Sequence, residues 1–168
     1  MGDVTYRAMV REDIDRIIAA WFVGIIGGGS RKRYTGYFDE QERGLRKVFV
    51  AECGGKVAGI VSLRLSANIG PFKDKQIPMI SNLFVHEDFR EQGIETELMN
   101  RAEAAAAETS GTVCLCAGVL DGADQRLFSM RGYILDGSGA WCGRSPARSS
   151  VTIECADVLV LYMTKELR

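Results

Sequence analysis

The sequence has 168 residues, of which 46% are apolar and 26% are charged, and its formal net charge is -1. This length and composition fit one soluble globular domain, residues 1–168, and exclude an intrinsically disordered chain. The pI of about 5.9 argues against a nucleic-acid partner, which calls for a basic surface. No apolar run reaches the roughly 20 residues of a membrane-spanning helix, and the N-terminus lacks the pattern of a signal peptide. We therefore expect a cytoplasmic protein that does not contact a membrane.

The cysteine and histidine content excludes several kinds of site. The five cysteines are scattered without Cys-x-x-Cys spacing, which indicates reduced, mostly buried thiols. The only histidine, His86, excludes a multi-histidine metal site. No Gly-x-Ser-x-Gly turn accompanies it, so a Ser-His-Asp hydrolase triad is also disfavoured. We expect no metal in the site.

The first half of the chain alternates strands and helices. A strand is predicted over 4–10, and a helix follows in which Ile14, Ile17 and Ile18 share one face with Trp21. Residues 24–36 hold five glycines and three consecutive basic residues, which predicts a flexible connection. A second helix is then predicted over 38–43, two strands over 48–51 and 57–65 with a hairpin turn over 52–56, and a loop over 70–78.

The second half continues the alternation. An apolar run over 80–85 predicts a strand, and an alanine-rich stretch predicts a helix from about Gln92 to Thr109, with Ile94 and Leu98 on its buried face. A strand over 112–117, a short helix over 121–131, and strands that begin at Tyr133 and Val158 follow. Taken alone, this pattern predicts an α/β layered domain.

The turn between the strand that ends at Val85 and the following helix suggests a phosphate site. Arg90 and Gly93 lie where several backbone N–H groups converge at the start of a helix. Such donors, together with the positive end of the helix dipole, bind phosphate or pyrophosphate groups.

Two motifs resemble the GNAT superfamily of acetyl-CoA-dependent N-acetyltransferases. The order strand, Val85-x-x-x-x-Arg90-x-x-Gly93-Ile94-x-Thr96-x-Leu98, helix is similar to the family's pyrophosphate loop. The segment 124–133, Asp-Gln-Arg-Leu-Phe-Ser-Met-Arg-Gly-Tyr, is similar to the family's Ala-x-x-Leu-Tyr-x-x-x-Gly-Phe motif. The resemblance implies a mixed α/β (α+β), three-layer α-β-α fold. Its sheet would be mostly antiparallel, splayed at the centre, and built from about seven strands.

The resemblance also implies where acetyl-CoA binds. The backbone of the strand before the loop would contact the pantetheine arm and the developing oxyanion, and the loop would hold the pyrophosphate. A polar side chain at the start of the helix over 121–131 would touch the arm. The implied residues are Leu83, Phe84, Val85, Arg90, Glu91, Gln92, Gly93, Ile94, Glu95, Thr96 and Asp121.

The chain departs from the family pattern at three positions. Asn82 lies where the family commonly has a carboxylate, and an amide cannot accept a proton. Phe128 replaces the tyrosine that serves as the usual acid. Glu95 replaces a small residue of the phosphate loop. This carboxylate either faces solvent and leaves the loop intact, or stands in for the phosphate and weakens cofactor binding.

The remaining candidate residues stay open. Cys116 and Tyr133 are further catalytic candidates, although core packing explains both. Trp21, Tyr34, Tyr37 and Trp141 could form an aromatic wall for the acceptor, in the segments 21–38 and 137–155 that build the acceptor site in this fold. The general base is either one of the protein's groups or a water molecule.

The resemblance implies an N-acetyltransferase that moves an acetyl group from acetyl-CoA to a small-molecule or peptide amine by direct transfer in a ternary complex. The alternative is a catalytically impaired GNAT-fold sensor or regulatory module that binds an acyl-CoA, which the three departures favour. A transferase acting on charged tRNA is disfavoured by the near-neutral charge. The acceptor and the oligomeric state, a homodimer included, stay open.

Overall fold

The computed structural model describes residues 3–21, 31–142, 145–147 and 159–167. These residues form two compact units, which are taken in turn. The first comprises the described parts of Met1–Arg64 together with Ile80–Ala105, and the second comprises Leu65–Met79 and the described parts of Ala106–Arg168. The expectation of a single domain stays a prediction.

The first unit contains most of the N-terminal elements. They are β1 (Val4–Ala8), α1 (Asp13–Trp21), α2 (Arg31–Glu42), β2 (Arg46–Cys53), β3 (Lys56–Arg64), nearly all of β4 (Met79–Val85) and most of α3 (Ile94–Ala107). Its strands lie in the order β1-β2-β3-β4. β1 runs antiparallel to β2 with Val4 opposite Cys53, and β2 runs antiparallel to β3 with Arg46 opposite Arg64.

The second unit contains the C-terminal elements. They are β5 (Thr112–Gly118), α4 (Gly122–Met130), β6 (Ile134–Cys142), β7 (Ser145–Pro146) and β8 (Leu159–Glu166). Its strands lie in the order β5-β8-β6-β7, and all three pairings are antiparallel. In addition, Met79, which also belongs to this unit, pairs with Cys114 in parallel.

The β2–β3 hairpin shows how local sequence sets the register. Cys53 pairs with Lys56, so only Gly54 and Gly55 lie between the strands. Both glycines have positive φ, at 55° and 76°, as a two-residue turn that matches strand twist requires. The predicted hairpin is thus confirmed.

Helices cover both faces of the first unit's strands. Buried side chains of α1 and α2, among them Ile14, Ile17 and Phe38, share a core with Val50 and Ile60. Because neighbouring residues of a strand point to opposite faces, Gly59 faces away from that core. A Cβ at Gly59 would lie 3.0 Å from Leu98 and 3.2 Å from Ile94 of α3. Glycine therefore lets α3 pack closely on the second face.

The second unit has its own core. Phe72 and the buried Tyr162 pack edge-on, with 6.0 Å between ring centroids, and the cluster extends to Ala67, Met79 and Cys114. The backbone of Gly70 lies against the ring of Tyr162, since an added Cβ would come within 2.2 Å of Cζ.

The predicted fold class is confirmed, and two boundaries are corrected. The described residues form a mixed α/β fold with four α-helices and eight mostly antiparallel strands, the shortest having two residues. The basic run Arg31–Arg33 was expected in a flexible connection and instead begins α2, because Tyr34 and Phe38 lie one turn apart on its buried face. The helix expected from Gln92 begins at Ile94. Residues 22–30 lie outside the described part.

Candidate functional site

The loop between β4 and α3 is built by two left-handed residues. A short 3₁₀ turn over Glu87–Phe89 is capped by His86, whose Nδ1 accepts a hydrogen bond from the Asp88 N–H at 3.2 Å. Glu91 and Gly93 then take φ values of 62° and 75°. These reverse the chain so that α3 starts at once, with its first backbone N–H groups lacking intrahelical acceptors.

The first turn of α3 is buried on the side that faces Gly59 of β3 and exposed on the other side. Ile94 is 1% exposed and Leu98 is fully buried, and both pack over Gly59. The other residues of the predicted phosphate loop are exposed, namely Arg90, Glu91, Gln92, Gly93, Glu95 and Thr96. The structure thus brings the predicted loop residues together around an accessible helix N-terminus.

The carboxylate of Glu95 lies at the surface. Its side chain is exposed, and no ion pair joins it to Arg90 in the part of the chain that the structure describes. The neighbouring Glu97 instead pairs with Arg101, with 2.9 Å between Oε1 and Nε. An exposed carboxylate can remain in solvent while the backbone N–H of the same residue binds an anion.

Asn82 has an unusual backbone and a specific side-chain partner. Its φ of 52° places it in the left-handed region within β4, which asparagine tolerates better than most residues. Its Nδ2 donates a hydrogen bond to the hydroxyl of Tyr37 at 2.9 Å. Both side chains are half-buried, and Asn82 directly precedes Leu83–Val85, the predicted contacts of the pantetheine arm.

A charged cluster beside Tyr37 was not predicted from the sequence. The guanidinium of Arg46 lies over the Tyr37 ring, with 4.0 Å from Cζ to the centroid. Arg46 also donates to Glu40 at 2.6 Å and to the buried Ser62 hydroxyl, and Arg64 donates to Glu40 at 2.7 Å. Burial raises the pKa of Glu40, but hydrogen bonds from both arginines outweigh it and lower the pKa overall.

The other predicted acceptor residues of the first unit are less informative. Tyr34 is 5% exposed and packs edge-on against Tyr37, with 6.0 Å between centroids. Burial raises the pKa of Tyr34 to about 12, so this hydroxyl stays protonated at neutral pH. The side chain of Trp21 lies outside the described residues.

In the second unit, Phe128 and Tyr133 are packing residues. Their rings meet edge-on with centroids 6.0 Å apart, and they are 5% and 2% exposed. Lys165 lies over the Tyr133 ring, with Nζ 5.6 Å from the ring centroid. Phe128 therefore occupies its motif position as a buried ring.

The remaining predicted residues of the second unit also have ordinary structural roles. Asp121 caps α4 by accepting a hydrogen bond from the Asp124 N–H at 3.0 Å. Burial raises the pKa of the Cys116 thiol to about 11, so it is not a thiolate at neutral pH. Trp141 packs edge-on against Tyr162 at 5.8 Å and donates through Nε1 to Ser138 at 2.8 Å. Part of the predicted acceptor segment 137–155 lies outside the described residues.

A cavity of about 330 Å³ lies in the first unit, away from these candidates. It is lined by Arg16, Ala19, Ala20, Gly55, Lys56, Val57, His86, Asp88 and Phe89. Its arginine already donates to Asp13, Glu52 and the Gly55 carbonyl. The cavity contains none of the residues that the motifs indicate.

The described residues contain neither a candidate metal cluster nor a candidate membrane-spanning helix. No group of three or more His, Cys, Asp or Glu side chains there is arranged to hold a metal ion. None of the helices in the described ranges is both long and apolar enough to cross a membrane.

Comparison with known proteins identifies the family. Residues 44–134 match the model of the acetyltransferase (GNAT) domain, while no curated protein matches the sequence. An N-acetyltransferase from Staphylococcus aureus Mu50 has a similar structure, with a TM-score of 0.74, 17% identity and 99% of each chain covered.

Two other solved structures are similar over comparable lengths. The ribosomal-protein-S18-alanine N-acetyltransferase from Escherichia coli has a TM-score of 0.74 at 13% identity, covering 98% of this chain and 94% of that one. A putative acetyltransferase from Salmonella typhimurium, solved with its cofactor acetyl-CoA, has a TM-score of 0.71 at 18% identity over the same shares of the two chains. At these identities the likeness concerns the fold, and the match over more than half of the sequence shows that the chain belongs to the GNAT family of acetyltransferases.

Proposed function

We propose that this acyltransferase moves an acetyl group from acetyl-CoA to the amine of a small-molecule or peptide acceptor, by direct transfer in a ternary complex. The observation that carries the proposal is the β4–α3 loop. Glu91 and Gly93 turn the chain so that the first N–H groups of α3 are accessible, and the buried Ile94 anchors them.

The loop residues fit the pyrophosphate of acetyl-CoA. Backbone N–H groups at a helix N-terminus, with the positive end of its dipole, bind phosphate groups. Arg90 adds a cation on the same exposed loop. The carboxylate of Glu95 is exposed, so it can stay in solvent while a phosphate occupies the loop.

The reaction makes three demands on the protein. The acceptor amine must be uncharged when it attacks the thioester carbonyl, and donors must stabilise the oxyanion. We assign the oxyanion and pantetheine contacts to the backbone of Leu83–Val85, next to Asn82 on β4. The leaving thiolate needs little help, because a thiol pKa near 8.5 makes it a good leaving group. Transfer can therefore proceed with Phe128 in place of an acid.

The first experiment is calorimetric titration of acetyl-CoA into the purified protein, with free CoA as comparison. We expect micromolar binding of both ligands, because the loop recognises the part that they share. Gly93→Ala should weaken binding at least tenfold, since alanine disfavours a φ of 75°. The matched control is Gly44→Ala, which has a φ of 70° and open space around it but lies outside the loop. Equal affinities for the two variants would refute the loop assignment.

The charge of Glu95 is tested separately. Because its side chain is exposed, Glu95→Gln should change acetyl-CoA affinity by less than about threefold, as expected for solvent-screened charges. A much tighter complex would mean that the carboxylate opposes the phosphates.

Two observations bear on the acceptor and the compartment. Similar structures include ribosomal-protein-alanine N-acetyltransferases from Brucella melitensis and Escherichia coli, and alanine carries no side-chain amine, so a peptide α-amino group belongs among the acceptors to be tested. The described cysteines Cys53, Cys114, Cys116 and Cys142 are free thiols, which fits a reducing compartment such as the cytoplasm.

The competing proposal is an acyl-CoA-binding sensor without transferase activity. It is supported by Asn82, whose amide cannot take a proton, and by the buried Phe128 ring. Micromolar acetyl-CoA binding without transfer to any of a panel of amines would favour it. Transfer that depends on Gly93 would favour the enzyme.

A further inference from the structure

We propose that Tyr37 and Asn82 together bind the acceptor amine in its uncharged form, which makes the enzyme selective for weakly basic amines, such as peptide α-amino groups, over lysine side chains. The inference rests on the proposed acetyl transfer and narrows its acceptor class.

The hydrogen-bonding capacity of the pair suits a neutral amine. Asn82 Nδ2 donates to the Tyr37 hydroxyl at 2.9 Å. The hydroxyl then keeps its own proton and a second lone pair, and the amide keeps its carbonyl oxygen as an acceptor. An uncharged amine can donate its two N–H groups to these two acceptors, the second lone pair of the hydroxyl and the amide carbonyl, which leaves the nitrogen lone pair free to attack the thioester. Both side chains are half-buried, so water competes only partly for these positions.

The charges around Tyr37 disfavour an ammonium ion. Two guanidinium groups, those of Arg46 and Arg64, share the single carboxylate of Glu40. The Arg46 guanidinium is 4.0 Å from the centre of the Tyr37 ring. A second cation beside that ring would be repelled.

Glu40 is also a poor proton acceptor for the substrate. Burial raises its pKa, but the hydrogen bonds from Arg46 and Arg64 outweigh this and lower the pKa overall. A carboxylate with a lowered pKa is a weaker base, and its oxygens are already engaged by guanidinium groups. Of the charged groups in this cluster, none is set up to deprotonate an ammonium ion.

The consequence for selectivity follows from the protonation of the acceptor. With pKa values of about 7.9 for an α-amino group and about 10.4 for lysine, about 30% and about 0.1% are uncharged at pH 7.5. The uncharged fractions therefore differ about 200-fold at pH 7.5 and only about ninefold at pH 9.5. Lysine's greater intrinsic nucleophilicity changes the ratio of the two acceptors' rates at any one pH. It does not change the fall of that ratio, about 25-fold, between pH 7.5 and pH 9.5.

The test compares two probes that have one amine each. Triglycine has only an α-amino group, and Nα-acetyl-lysine amide has only a side-chain amine. We expect the ratio of their kcat/KM values to fall about 25-fold between pH 7.5 and pH 9.5. A ratio that does not change with pH, or a preference for lysine at pH 7.5, would overturn the inference, because an enzyme that binds the ammonium ion and removes its proton with a group of its own does not follow the ionisation of the free acceptor. Transfer to neither probe, with acetyl-CoA bound, would overturn the proposed function and this inference with it.

A pair of variants separates the hydroxyl from the ring. Tyr37→Phe should raise the KM for triglycine about fivefold, the loss expected for one hydrogen bond, and leave the KM for acetyl-CoA unchanged. The control is Tyr6→Phe on β1, whose ring also lies under an arginine, with Arg101 Cζ at 4.9 Å, and which should change neither constant. An unchanged KM for triglycine in Tyr37→Phe would overturn the assignment.

Discussion

Replacing Asn82 by aspartate should convert a selective site into a broader one. Aspartate has nearly the same shape and also tolerates the left-handed φ of 52° found at this position. The Tyr37 oxygen now accepts a hydrogen bond from Asn82 at 2.9 Å. Opposite an ionised carboxylate, which can only accept, the hydroxyl would rotate to become the donor. The change therefore places a base directly before Leu83–Val85, the predicted oxyanion contacts, while the fold is kept.

The size of the effect depends on how much of the acceptor is protonated. At pH 7.5 about 30% of an α-amino group is already uncharged, so recovering the remainder gains at most about threefold. For a lysine side chain, of which about 0.1% is uncharged, the largest possible gain is about 800-fold. General-base catalysis is typically worth about 10²–10⁴-fold. A carboxylate beside Tyr37 would also reduce the repulsion between an ammonium ion and the Arg46 guanidinium over that ring. We expect kcat/KM for the lysine probe to rise about 100-fold, the low end of the general-base range.

The assay measures initial rates at pH 7.5 for Nα-acetyl-lysine amide and triglycine, with acetyl-CoA saturating. Asn68→Asp is the charge-matched control, because Asn68 is exposed and lies outside the candidate site. Equal gains for the two probes, or a gain for lysine below about threefold, would refute the reasoning that protonation of the acceptor limits the reaction.

Two further predictions concern stability, measured by chemical denaturation. Gly70→Ala should destabilise the protein by about 1–3 kcal/mol more than Gly44→Ala. Both positions have a φ of 70°, but only at Gly70 would the added Cβ meet a ring, that of Tyr162, at 2.2 Å. Equal losses of stability in the two variants would contradict this contact. Asp13→Ala should cost about 1.5–3 kcal/mol, since this buried carboxylate accepts from two guanidinium groups and a backbone N–H. The exposed pair of Asp39 should contribute less than about 1 kcal/mol. Burial raises the pKa of Asp13, but its hydrogen bonds lower the pKa overall. The contribution of Asp13 to stability is therefore present above about pH 4 and is lost as the pH falls further. At low pH the unfolding free energies of the wild type and Asp13→Ala should converge.

The elements around the loop could be predicted because their signals are local. The apolar stripe of Ile94 and Leu98 and the position of Gly93 mark the start of α3 to within two residues. Ile14 and Ile17 similarly mark the buried face of α1. In contrast, the glycines and basic residues before Tyr34 concealed the start of α2, although Tyr34 and Phe38 at helical spacing were the signal that could have revealed it.

The contacts of the candidate acceptor site could not be predicted, because they join distant parts of the chain. Tyr37 and Asn82 are 45 positions apart, and no periodicity or turn pattern relates a helix residue to one particular position of a later strand. The same holds for the contact between Arg64 and Glu40, which are 24 positions apart. The sequence indicated Tyr37 only as part of an aromatic wall. The structure adds its hydroxyl as the partner of the amide on β4.

The asparagine at position 82 has two separate properties, the backbone conformation that it tolerates and the hydrogen bonds that its side chain makes. The left-handed backbone alone favours Asn, Asp or Gly, so it gives no reason to avoid the carboxylate that acetyl transfer would otherwise use. The contact with Tyr37 distinguishes the two residues chemically, because an ionised aspartate could not donate to the phenol oxygen and would accept its proton instead. The amide therefore holds the hydroxyl with its proton directed to another acceptor, and it adds no negative charge beside the Tyr37 ring over which Arg46 lies. Both effects favour an acceptor that arrives uncharged, which is why the pH dependence of acceptor choice is the most informative property to measure.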